Sequence, residues 1–79
     1  MIENLTKEKL LKKFGLNVKI QRLKKGYTQE ELANKMDIHL TYLAKIETGR
    51  INISLGKILE LANVLSTDIN KLLLIEQDD

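Results

Sequence analysis

The fold of this chain is decided by residues 27–49, which read YTQEELANKMDIHLTYLAKIETG. Thr28 and Glu31 have the spacing of a capping box, in which two side chains bind the backbone N–H groups left free at a helix start. Apolar residues recur at helical spacing on both sides of Asp37, and Gly49 follows the last of them. Because glycine commonly ends helices, the stretch predicts two short helices joined by a tight turn.

Three more helices are predicted around this pair. The chain contains no proline, and no stretch alternates between polar and apolar residues for long enough to indicate a strand. Gly26 should end the first helix, whereas Ser54 and Asp68 can cap the last two. The predicted architecture is all-α, with one five-helix domain that occupies residues 1–79. Its helices are expected at about 6–25, 28–36, 39–48, 54–65 and 68–75.

Each predicted helix carries apolar residues that should face a common core. In the first helix these are Leu10, Leu11, Phe14, Val18 and Leu23. In the two central helices they are Leu32, Ala33, Met36, Ile38, Leu43 and Ile46. In the fourth helix they are Leu55, Ile58, Leu59, Ala62 and Leu65.

The composition argues against several classes of protein. The 79 residues include no cysteine and one histidine, so disulfides, thiol catalysis and a clustered metal site are not expected. No carboxylate pair or glycine-rich phosphate loop indicates an enzyme, and no cofactor or small-molecule ligand is implied. Since no apolar run approaches the roughly 20 residues that span a bilayer, we expect a soluble cytoplasmic protein with no membrane partner.

Charge is distributed unevenly along the chain, although the net charge is only +2. Residues 1–25 contain eight basic and two acidic side chains, whereas residues 54–79 contain two basic and five acidic ones. The basic end could meet phosphate groups, and the acidic end should avoid them. A lysine-rich helix surface exposed to water explains the same pattern, so charge alone does not choose between the two interpretations.

Two short helices joined by a tight turn suggest a way of binding DNA. In a helix-turn-helix, the first helix crosses the phosphate backbone and the second places its exposed side in the major groove, which admits one helix. With the apolar residues of the segment facing inward, four side chains of the second helix should face outward. These candidate base readers are Leu40, Thr41, Tyr42 and Lys45.

Residues 27–33, Ile38 and residues 42–49 resemble the lambda-repressor-like (XRE, Cro-type) helix-turn-helix family. The likeness extends from about Phe14 to Leu73. It rests on a Gln-x-x-Leu-Ala run followed by Ile-Glu-x-Gly, a combination far more specific than either motif alone. The resemblance implies a transcriptional regulator that binds double-stranded DNA.

The resemblance also implies roles for individual residues. Gln29 should bind a backbone phosphate through its side-chain amide, and Arg22 should form a partly buried ion pair with Glu47. Thr41, Tyr42 and Lys45 match positions that touch bases or phosphates. The candidate phosphate-binding residues are Thr28, Gln29, His39, Thr48, Arg50 and Asn52.

Three positions depart from the family pattern. Asp37 replaces the usual glycine of the turn, and it tolerates left-handed backbone better than most residues. His39 stands where Ser or Thr usually caps the second helix, so a poor cap is expected there unless Asp37 substitutes. Leu40 replaces a polar or Arg residue, and either contacts a thymine methyl group or packs against its own helix.

Within the family, Thr41-Tyr42 and residues 50–55 are similar to the controller proteins of restriction-modification systems. Those proteins usually place Arg directly before the Asn, whereas here Ile51 separates Arg50 from Asn52. A phage-type repressor, a general single-domain regulator and the antitoxin of a toxin-antitoxin pair remain open. The antitoxin alternative would use the same fold as a protein-interaction module.

The end of the chain is more apolar than one short helix needs. The residues concerned are Ile69, Leu72, Leu73, Leu74 and Ile75. Because one helix in one groove makes few contacts, two copies on adjacent half-sites are expected. These five residues are therefore the candidate interface of a homodimer on a pseudo-palindromic operator, unless all of them cover the core of one copy.

Overall fold

The computed structural model describes residues 4–75 and contains five helices over that range. They are α1 (Lys7–Lys24), α2 (Gln29–Met36), α3 (Leu40–Glu47), α4 (Leu55–Val64) and α5 (Ile69–Leu73). No strand occurs among these residues, so the all-α, five-helix prediction is confirmed. Every predicted range begins on the residue at the N-cap position of its helix in the structure. Between residues 4 and 75, no helix has both the length and the apolar character that a membrane crossing requires.

Side chains cap four of the five described helix starts. At the start of α2, the Glu31 N–H donates to the Thr28 hydroxyl at 3.0 Å, and the Thr28 N–H donates to the Glu31 carboxylate at 2.8 Å. The predicted capping box is therefore complete. His39 makes no capping bond at the start of α3, as expected for a residue that is not a good cap.

Asp37 makes the turn between α2 and α3 in a left-handed conformation, with φ 56° and ψ 47°. The N–H of Ile38 donates to the carbonyl of Ala33 at 3.0 Å, which is a bond that closes a helix at a left-handed residue. Asp tolerates this conformation better than most residues with a side chain. The turn therefore forms without the glycine of the family pattern, as predicted.

The core is built mainly from aliphatic side chains of all five helices. Its buried apolar residues are Phe14, Val18, Leu32, Ala33, Met36, Leu43, Ile46, Ile58, Leu61, Ala62, Leu65 and Leu72. α1 packs on α3 and α5, while α2 packs on α3 and α4. The pair α2 and α3 is therefore packed against α1 through α3 and against α4 through α2.

The sequence pattern assigned four exposed residues to the core. They are Leu10, Leu23, Leu55 and Leu59, which are 38, 56, 77 and 51% exposed. In α4 the buried stripe runs through Ile58 and Leu61, so Leu59 lies roughly 100° around the helix from Ile58. Leu23 lies roughly 140° around α1 from the fully buried Val18. These leucines recur at close to helical spacing but lie beside the buried face of the helix. The sequence pattern does not distinguish the two positions.

The backbone of α1 touches the end of α3 at Gly15. A Cβ atom at this position would lie 2.6 Å from the carbonyl oxygen of Glu47, and closer still to that of Ile46. Gly49, which follows α3 with φ +74°, is equally close to α1, because its Cβ would lie 2.7 Å from the Lys12 nitrogen. Two glycines thus let α3 dock directly on the main chain of α1.

Replacing Gly15 by alanine tests this docking. Although alanine favours helix by roughly 0.5–1 kcal/mol over glycine, the clash with two carbonyl groups should outweigh that gain, and Gly15→Ala should lower the free energy of unfolding by about 1–3 kcal/mol. The matched control is Gly56→Ala in α4, where a Cβ meets nothing nearer than 3.9 Å. Urea unfolding should give opposite signs for the two variants. A Gly15→Ala protein as stable as the parent would contradict the close approach.

Candidate nucleic-acid interface

One side of α3 is open to water. Leu40, Thr41 and Lys45 are exposed, and Leu40 keeps 43% of its accessible surface. Tyr42 is half-buried and packs against the core, so only part of its side chain is accessible. The four candidate base readers are therefore accessible, with Tyr42 at the edge of the exposed side.

The six candidate phosphate-binding residues form two groups at opposite ends of α3. The group near its C-terminal end comprises Thr28, Gln29, Thr48, Arg50 and Asn52. His39 precedes the other end, about 12 Å away at the rise of a helix of this length. Gln29 is half-buried, and the other five are exposed.

Two candidate phosphate-binding hydroxyls, those of Thr28 and Thr48, differ in whether their proton is free to be donated. The Thr28 oxygen accepts the Glu31 N–H, which leaves the hydroxyl proton available for a phosphate oxygen. The Thr48 hydroxyl instead donates to the carbonyl of Ala44 at 2.8 Å. Because a hydroxyl carries one proton, the Thr48 side chain would have to give up this bond before it could donate to a phosphate.

A buried ion pair joins α1 to the end of α3. The Arg22 Nε donates to Glu47 Oε2 at 2.7 Å, and a second guanidinium nitrogen donates to Glu47 Oε1 at 3.1 Å. The Arg22 and Glu47 side chains are only 8% and 2% exposed. The third guanidinium nitrogen donates to the carbonyl of Tyr27 at 2.8 Å, so Arg22 also holds the segment that leads into α2.

The same carboxylate binds a residue from the start of α2. Gln29 Nε2 donates to Glu47 Oε1 at 3.0 Å. This bond was not predicted, because Gln29 was assigned only to phosphate and Glu47 only to Arg22. The two residues are 18 positions apart in the chain, and no local pattern links them.

The five candidate residues of the dimer interface are not equivalent. Leu72 is completely buried in the core of one copy, so its assignment to an interface was wrong, because no part of its side chain is accessible to a second copy. Ile69 and Ile75 are half-buried. Leu73 and Leu74 are 39 and 60% exposed and remain available.

Asn17 fixes the end of α5 against α1. Its side-chain nitrogen donates to the carbonyl oxygens of Leu72 and Leu74, both at 2.9 Å. Leu72 lies in the last turn of α5 and Leu74 is its C-cap, so neither carbonyl has an intrahelical donor. One amide from α1 therefore satisfies both groups and holds the segment that carries Leu73 and Leu74.

The chain matches a family model described as helix-turn-helix over residues 18–72. It is also 39% identical over 61 residues to control protein C.BamHI of Bacillus amyloliquefaciens, covering 76% of this chain and 75% of that protein. A hypothetical transcription factor of Neisseria meningitidis is 37% identical over 62 residues, which span 58% of its own length. The chain belongs to this helix-turn-helix family of DNA-binding transcription regulators, a family that does not consist of enzymes.

Solved structures agree with this assignment. The restriction-modification controller protein C.AhdI from Aeromonas hydrophila superimposes with a TM-score of 0.74 and 37% identity, over 78% of this chain and 94% of that one. The Neisseria hypothetical transcription factor gives a TM-score of 0.79 and 32% identity, over 94% of this chain and 85% of that one. The resemblance drawn from the two motifs is thereby confirmed.

The energetics of the buried ion pair can be tested by breaking it in two ways. Glu47→Ala strands the buried Arg22 charge and should lower the free energy of unfolding by about 3–5 kcal/mol. Replacing both residues by methionine removes both charges and keeps much of the volume, so this variant should lie within about 2 kcal/mol of the parent. Chemical denaturation measures both. If the double variant were the less stable of the two, the pair would contribute through its bonds and not through charge compensation.

Proposed function

We propose that this regulator is a homodimer that reads a pseudo-palindromic operator with α3, in the manner of a restriction-modification controller protein. The observation that carries the proposal is the accessible side of α3, on which Leu40, Thr41 and Lys45 are exposed. The proposal treats residues 1–79 as one DNA-binding domain that acts in the cytoplasm. It requires no cofactor.

The accessible side of α3 offers chemistry that suits the major groove. Lys45 can donate to guanine acceptors, and the Thr41 hydroxyl can donate or accept, so both can distinguish base pairs by hydrogen bonding. Leu40 is apolar and exposed, which suits contact with a thymine methyl group. Tyr42 presents an accessible edge that can reach a base or a phosphate.

Phosphate contacts on either side of α3 would set its position in the groove. Thr28 and Gln29 lie at the start of α2, where free backbone N–H groups also favour an anion. Arg50 and Asn52 are exposed beyond the end of α3 and can contact further phosphates along the same DNA strand. The missing side-chain cap at His39 leaves N–H groups at the start of α3 free for a second phosphate.

A dimer is supported by the exposed part of the α5 segment. Leu73 and Leu74 are apolar and accessible, and Asn17 holds their backbone in place. A second copy that covers them would remove apolar surface from water. Two copies would also place two α3 helices on one operator, which combines their binding energies.

The controller role rests on the relatives. Two curated relatives are named as control proteins, and a solved structure of similar fold and 37% identity is a restriction-modification controller. These similarities favour a regulator over an antitoxin or a protein-interaction module. Neighbouring genes for an endonuclease and a methyltransferase would support the controller role, whereas a neighbouring toxin gene would support the antitoxin.

Binding to DNA should be steeply salt-dependent. The affinity for random duplex should fall with salt at a slope of about 0.9 per phosphate neutralised in a plot of log K against log salt concentration. Gln29→Ala should weaken binding to all sequences alike. Thr41→Ala and Lys45→Ala should each cost about 1–3 kcal/mol on the preferred operator, with less effect on random DNA.

Fluorescence anisotropy with selected and random duplexes distinguishes these outcomes. Asn34→Ala is a suitable control, because Asn34 is an exposed amide later in α2. A flat salt response would support the interaction module. Equal losses on both duplexes for all three variants would contradict the assigned roles.

Dimer formation should depend on the exposed end of α5. Leu74→Glu places a charge on a side chain that is 60% exposed, so the fold should tolerate it while a second copy should not. Sedimentation equilibrium should show a dissociation constant at least tenfold higher, which corresponds to about 1.4 kcal/mol. Leu55→Glu is the control, since Leu55 is 77% exposed on α4. Unchanged dimerisation of Leu74→Glu would place the interface elsewhere.

A further inference from the structure

Within the proposed function, we propose that Glu47 is a positioning residue for phosphate binding. Its buried carboxylate holds the Gln29 amide in one orientation at the start of α2 and leaves the second N–H of that amide for a DNA phosphate. The proposal rests on the proposed DNA contact of Gln29. It gives the ion pair of Glu47 with Arg22 a role in binding as well as in folding.

The orientation follows from what each group can donate or accept. A carboxylate only accepts hydrogen bonds, so the Gln29 side chain must turn its nitrogen toward Glu47 Oε1, 3.0 Å away. The amide nitrogen carries two N–H donors and uses one of them here. A phosphate oxygen also only accepts, so it needs the nitrogen end of the amide and not the oxygen end. Glu47 therefore selects the end that suits an anion.

Glu47 can hold this orientation because it is itself held. Its two oxygens accept from Arg22 at 2.7 and 3.1 Å, and its side chain is 2% exposed. Gln29 is the first residue of a helix with a complete capping box. A glutamine free in solvent would lose side-chain freedom when it binds DNA, whereas here much of that loss occurs on folding.

Arg22 removes the main electrostatic objection to this arrangement. A bare carboxylate beneath a phosphate contact would repel the phosphate. Arg22 lies 2.7 Å from that carboxylate, so the pair presents almost no net charge to a group outside. The short-range hydrogen bond of the Gln29 amide then decides the interaction, because the charges beneath it nearly cancel.

Affinity measurements in two backgrounds test the proposal. Gln29→Ala should weaken binding to a duplex selected from a random pool about tenfold in the parent, the order expected for one hydrogen bond to a charged group. In a background carrying Arg22→Met and Glu47→Met, the amide has lost its acceptor, and the same substitution should cost less than about twofold. Thr41→Ala is the matched control and should cost the same factor in both backgrounds. Loss of helix docking, by contrast, would change the control as well.

A tenfold effect of Gln29→Ala in both backgrounds would overturn the proposal, because Gln29 would then act without Glu47. No effect in the parent would overturn it too, while salt-dependent DNA binding and the proposed function would stand. If the parent protein showed no salt-dependent DNA binding, both the positioning role of Glu47 and the proposed function would be contradicted. Side-chain amide NMR of the free parent protein makes the test independent of the methionine background. The Gln29 amide proton that faces Glu47 should be shifted downfield of its position in a free glutamine by the hydrogen bond to a carboxylate. Two amide shifts like those of a free glutamine would refute the positioning.

Discussion

The structure depends most on the bidentate bond between Arg22 and Glu47, because this bond joins two helices whose residues lie 25 positions apart in the chain. It links the end of α1 to the end of α3, and the remaining guanidinium nitrogen binds the Tyr27 carbonyl before α2. Two charges in the core would be costly if either stood alone. Their mutual satisfaction lets a polar network lie where the three helices meet, and it fixes how α3 is presented.

Close backbone packing supplements that bond. Gly15 lets the main chain of α1 approach the last residues of α3, and Gly49 lets the residue that follows α3 approach α1. The energy of such packing changes steeply with distance, because a single added methyl group would overlap carbonyl oxygens. The ion pair fixes which groups meet, and the glycines fix how closely they do. Together they orient a helix of only 8 residues, which would not be stable in isolation.

Features set by neighbouring residues were predictable from sequence. The capping box at Thr28, the left-handed turn at Asp37 and the uncapped start of α3 at His39 each follow from one or two side chains and the nearby backbone. Long-range features were not, apart from the ion pair of Arg22 with Glu47, which the family resemblance implied. The bond from Gln29 to Glu47, the contact at Gly15 and the burial of Leu72 depend on how helices distant in sequence are arranged. Gly15 alone left a signal, since a glycine inside a helical pattern usually has a packing reason.

The division between buried and accessible residues of α3 has a consequence for specificity. Leu40, Thr41 and Lys45 are exposed on the helix, so substituting them changes little of the core, and under the proposed function it changes the surface that enters the groove. Glu47 belongs to the same helix but is buried in the network, and its loss would disturb folding and orientation together. Under the proposed function, DNA sequence preference and the stability of the fold therefore depend on different residues of one short helix. The operator that is recognised can then change without a change of fold, provided that the Glu47 carboxylate at the end of α3 is kept.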